Sequence, residues 1–145
     1  MKRVVIPAII VGIIGACWSV YLLQWYITVN ALTACVGGGS QCLAVFQASF
    51  SYFYGVPIHL LAVGWFSLLT LLAGMRAYGF RRASTVGIAV GALCVPAIIY
   101  LDYIQLAVIH AICSDCEIAH LLGIILFVLF IIMYRNDRRN KKNKA

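Results

Sequence analysis

The stretch VVIPAIIVGIIGACWSVYLLQWYITV, residues 4–29, decides how often the chain crosses a membrane. Read as a cleaved leader it leaves three apolar spans; read as a retained helix it makes a fourth. Ile14-Gly15-Ala16-Cys17 has the outline of a lipoprotein cleavage site. The apolar run nevertheless continues through Trp18, Tyr21, Trp25 and Ile27, well past the roughly 7–15 residues of a secretory signal core. A retained helix is therefore expected.

Three further segments, 57–75, 84–109 and 116–134, approach the roughly 20 apolar residues that a helix needs to cross a bilayer. The composition agrees, with 64% of the 145 residues hydrophobic and 10% charged, where a soluble domain is about half apolar and a quarter charged. The expected fold is all-α, an integral membrane four-helix bundle occupying 1–134. Residues 135–145 follow as a basic tail, read as disordered.

The basic residues set the orientation. Lys2 and Arg3, then Arg76, Arg81 and Arg82, then Arg135, Arg138, Arg139, Lys141, Lys142 and Lys144 account for all 11. Four spans place these three groups on one side, and the opposite loops, 30–56 and 110–115, contain none. An excess of Lys and Arg marks the cytoplasmic side, so both termini are expected in the cytoplasm of a multi-pass cell-membrane protein. The net charge of +7 is thus a topology signal. The tail suits anionic membrane lipid rather than nucleic acid.

The outer segment opens with ALTACVGGGSQC (31–42), whose three glycines allow the backbone to be reshaped. LAVFQASFSYFYG (43–55) follows, too short to span, and is expected as a short interfacial helix closed by Gly55, with Pro57 in the first turn of span two. Its aromatics, Phe46, Phe50, Tyr52, Phe53 and Tyr54, suit an interface or a ligand-facing lid. Pro96 is expected to kink span three. Asp102, Tyr103 and Gln105 come near that span's outer end, where Asp102 reads as a solvated helix terminus.

Six cysteines divide by location. Cys17 and Cys94 fall inside spans and read as inert small apolar residues. Cys35, Cys42, Cys113 and Cys116 share the outer, oxidising side. They could form a zinc site, a pair of structural disulfides or a redox relay. CSDC (113–116) opens a helix, whose positive end favours a thiolate, although Asp115 and Glu117 oppose it. A mobile loop carrying its own pair could exchange electrons with the helix-borne pair through mixed disulfides. No GxGxxG or P-loop supplies a nucleotide acceptor, so a quinone dissolved in the membrane is the expected electron sink.

Taken together, Cys35, Cys42-Leu-Ala-Val45, Gly55-Val-Pro57 and Cys113-Ser-Asp-Cys116 resemble the vitamin K epoxide reductase family over nearly the whole chain. The resemblance implies a four-helix bundle around a quinone of the ubiquinone or menaquinone type. Prokaryotic members resemble disulfide-forming oxidases that serve a thioredoxin-like soluble protein, here a separate chain. Carried over by position, Cys116 would face the quinone and Cys113 would be its disulfide partner. Cys42 would exchange with Cys113, and Cys35 would meet the soluble protein. Where the family usually has Ser or Thr, this chain has Ala48, leaving Ser49 and Ser51 as the nearby polar groups. Where animal members carry a quinone-contacting tyrosine, it has His120, a hydrogen-bond donor or proton relay. His59 and Phe53 are further candidates for quinone contact, and His110 is expected to be solvated. No metal is expected. Reduction of a quinone epoxide and a zinc-stabilised scaffold are the alternatives.

Overall fold

A computed structural model describes residues 2–28, 42, 44–46 and 49–142 of the chain. Helix α1 runs Lys2–Thr28 and α2 runs Ile58–Ala77. The third span consists of α3, Arg82–Ala92, α4, Cys94–Tyr103, and a π-helical turn, Ile104–Ile109. Helix α5, Ser114–Lys142, completes the bundle. Among the described residues four helical stretches are long and apolar enough to cross a membrane, so the first segment counts as a span. Their outward faces carry Ile10, Ile14, Leu71, Ile99 and Leu121, the apolar surface that lipid requires.

Small residues let the spans close together. Gly15 of α1 lies under the Phe66 ring of α2, and Gly87 of α3 lies under the Phe130 ring of α5; an added Cβ would collide with either ring. Such close approach supports helix association in lipid, where apolar burial alone gives little drive.

The packed interior divides in two. Val5, Phe66, Leu69, Ala83, Leu126 and Phe130 belong to a core around the end of the bundle that holds the basic residues. A second cluster, built on Leu22, Cys42, Phe46 and Cys113, lies at the opposite end. Near the first core Arg76 Nε donates to Asp137 Oδ2 at 2.9 Å, its Nη2 pairs with Oδ1, and Ser84 Oγ donates to Oδ2 at 2.8 Å. Arg81 also donates to the Asp137 carbonyl. Charges buried at this depth persist only when paired.

Several expectations change. The expected interfacial helix covers less than 43–55: Cys42 and 44–46 are helical, but Ser49–Ser51 is a 3-10 turn and Tyr52–Phe53 pairs antiparallel with Val56–Pro57. Tyr54 and Gly55 both have positive φ, 51° and 80°, as a two-residue hairpin turn of the primed kind demands. Gly55 therefore serves a hairpin, and Pro57 precedes α2 at its N-cap. Span three breaks at Leu93, where Pro96 can offer no N–H to the preceding turn. The tail is helical through Lys142, and Cys17 is exposed on α1 while Cys94 is buried.

Candidate redox site

The cysteine turn is held by the end of the third span. His110 adopts the left-handed conformation, φ 54° and ψ 33°, and Ala111 N–H donates to the Gln105 carbonyl at 3.0 Å. This reverses the chain so that α5 starts at Ser114 with Cys113 in the capping position. The Cys113 carbonyl accepts from the N–H groups of Cys116 and Glu117, at 3.0 and 3.1 Å. Cys113 Sγ also accepts from Cys116 N–H at 3.3 Å, as a capping side chain would. Gln105, buried, accepts from Cys113 N–H at 2.7 Å through Oε1 and donates from Nε2 to Glu117 Oε1 at 3.2 Å. Trp18 of α1 donates its indole N–H to the Asp115 carbonyl at 2.9 Å. Two elements, the π-helical turn and α1, thus grip one turn of helix.

Cys113 and Cys116 form a disulfide, with Cα atoms 5.2 Å apart. Cys42 is a thiol. Cys42 and Cys113 are 1% and 0% exposed and lie in one buried cluster, walled by Leu22 and Phe46, whereas Cys116 is only partly buried at its edge. The loop thiol therefore shares a buried cluster with Cys113, and Cys116 is the less buried residue of the pair. Cys35 lies outside the described residues.

The polar surroundings are acidic. Asp102, Asp115 and Glu117, three of the four acids in the chain, lie at this end, away from the basic groups. His120, one turn beyond Cys116, places Nδ1 2.8 Å from Asp102 Oδ1 and 3.8 Å from Glu117 Oε1. The ligating atoms of these three residues all lie within 4.8 Å of one another. Asp102 is therefore a partner of His120, where the sequence read as a solvated helix end. Nothing in the local pattern signals this contact, because it depends on which faces α4 and α5 present to each other.

The other expected contacts are spread out. His59 is buried at the head of α2 with its ring edge-on to Phe46, centroids 4.9 Å apart. Ser51 Oγ donates to the Val45 carbonyl at 2.6 Å, tying the 3-10 turn to the helical residues before it. Ser49 opens that turn. Phe53 is exposed on the hairpin and stacks edge-to-face on Tyr54. His110 is exposed, as expected.

No curated protein matches the chain. The sequence profile of the vitamin K epoxide reductase family matches residues 6–131, which include all six cysteines and most of α5. The family's redox chemistry involves quinone-type substrates, in keeping with a disulfide at the mouth of a membrane bundle. By a profile match over most of its length, the chain belongs to the vitamin K epoxide reductase family.

Proposed function

We propose that the protein is a membrane disulfide oxidase, passing electrons from a soluble thioredoxin-like dithiol protein through two cysteine pairs to a membrane quinone. The observation that carries this reading is the unequal placement of the sulfurs: Cys42 is buried in one cluster with Cys113, and Cys116 remains partly open. That arrangement supports the following order of exchange. Cys42 thiolate attacks Cys113 Sγ and releases Cys116 as a thiolate beside the first N–H groups of α5. Cys35 thiolate then attacks Cys42, leaving a Cys35–Cys42 disulfide and a Cys113–Cys116 dithiol. The loop disulfide takes two electrons from the soluble dithiol, and the helix-borne dithiol gives two to the quinone, which becomes a quinol.

The surroundings of Cys116 fit a neutral, lipid-soluble acceptor. Ile112, Ile118 and Leu121 are exposed near it, no basic residue lies at this end, and His120 supplies a polar group one turn along the same helix. His120 would orient the quinone, with His59, Ser49, Ser51 and Phe53 as further candidates for contact. The distribution of basic residues supports cytoplasmic termini and a cysteine site on the outer, oxidising side.

The test is anaerobic reduction of a short-chain quinone by the purified protein supplied with a reduced thioredoxin-like protein. Wild type turns over and Cys116→Ala does not. A normal rate in Cys116→Ala refutes the relay order, and an inert wild type refutes the oxidase.

A further inference from the structure

We propose that Asp102 and His120 form a proton-exchange pair serving the quinone-reducing half of the reaction, with His120 exchanging the proton and Asp102 positioning it. This rests on the oxidase reading above and adds to it the route of the proton.

Oxidising the Cys113–Cys116 dithiol releases two electrons and two protons, and reducing a quinone consumes both. The electrons pass through Cys116. A proton needs a group that can accept it from a thiol and give it to an oxygen nearby. His120 lies four residues beyond Cys116 on α5, so the two share a helix face. Its side chain is 13% exposed, and its Nδ1 is 2.8 Å from Asp102 Oδ1. Nδ1 is set against that carboxylate, though not aligned for a hydrogen bond in this structure, and Nε2 is the nitrogen left to take up and release a proton.

Asp102 itself calls for an explanation. A carboxylate near the end of an apolar span is costly unless it is paired or reaches water. Among the described residues, the charged groups set against His120 are Asp102 of α4 and Glu117 of its own helix. Both carboxylates are partly exposed, at 34% and 43%. They connect the largely buried imidazole with the outer surface. Glu117 in turn accepts from Gln105, which holds Cys113 N–H. One continuous set of contacts therefore joins the disulfide turn to the imidazole. The proton inventory closes: the dithiol gives up two protons and the quinol gains two, one of them by way of His120 Nε2.

The test separates the half-reactions. Reduction of the Cys113–Cys116 disulfide by dithiothreitol without quinone is measured first, then oxidation of the reduced protein by a short-chain quinone. Positioned general acid–base groups contribute roughly 10²–10⁴-fold. Quinone-dependent kcat should accordingly fall about a hundredfold in His120→Gln and about tenfold in Asp102→Asn. Quinone KM should stay within about twofold in Asp102→Asn, which changes no group placed against the quinone, because the lost interaction belongs to the transition state. The dithiothreitol step should be unchanged in every variant, and Asp102→Glu should recover most of the rate. Independently of turnover, the ¹⁵N shifts of the His120 imidazole should place the proton on Nδ1 in wild type and lose that preference in Asp102→Asn. A wild-type quinone rate in Asp102→Asn overturns the proposal and leaves the oxidase standing. An equal fall in both half-reactions also overturns it, since a merely structural Asp102 would act that way. A wild type that reduces no quinone overturns both readings together.

Discussion

Gln105 holds the disulfide turn with both ends of its amide, accepting from Cys113 N–H and donating to Glu117. It is 4% exposed, so its replacement leaves the Cys113 N–H buried without that acceptor. An unsatisfied buried polar group costs about 1–3 kcal/mol. Gln105→Leu should therefore lower thermal stability by that order in detergent. It should also move the Cys113–Cys116 reduction potential, because the turn that holds the two sulfurs loses a constraint. A redox titration against dithiothreitol reads the second effect; an unchanged potential and unchanged melting would show the amide to be incidental. At this scale the sequence was informative about identity and poor about contact. CxxC and Cys42 stand out by type and spacing, and His120 by its place in the family resemblance. Asp102 stands out only as an acid near the end of a span, since its proximity to His120 depends on which faces α4 and α5 present to each other.

Among elements, the spans were legible because each is a long apolar run, whereas the segment joining the first two was not. A glycine after an aromatic run serves a helix C-cap or a primed hairpin turn equally well, and Tyr54, at φ 51°, is an uncommon residue for that turn. The carboxyl-terminal run misled in the opposite direction. Its density of like charge suggested disorder, yet α5 continues through it, and Asp137 joins it to Arg76 and Ser84 on two other spans. Removing one member of a buried ion pair costs about 3–5 kcal/mol, while exchanging both for apolar residues of similar size is often neutral. Arg76→Met alone should thus destabilise the bundle by that order, and Arg76→Met with Asp137→Leu should recover most of the loss. Thermal unfolding in detergent compares the two; a double variant no better than the single would mean that Asp137 acts mainly through Ser84 and Arg81.

Across the whole molecule, the basic residues and the cysteine pair sit at opposite ends. The packed core and the buried Arg76–Asp137 pair occupy one end, while the other three acids and the Cys113–Cys116 disulfide occupy the other. This separation lets one end answer to topology and the other to redox exchange, and it makes the orientation of the chain decisive for function. If the basic end faces the cytoplasm, the cysteine relay meets an oxidising compartment. Two tyrosines mark the ends: Tyr54, at the hairpin tip, is 94% exposed, and Tyr78, beside the basic loop, is 88% exposed. In intact cells treated with a membrane-impermeant maleimide, Tyr54→Cys should be modified and Tyr78→Cys spared until the membrane is permeabilised. Peptide mass spectrometry reads each position separately, so the native cysteines do not interfere. The reverse pattern would place the relay in a reducing compartment, where a disulfide oxidase has no use for its product, and the proposed direction of electron flow would fail with it.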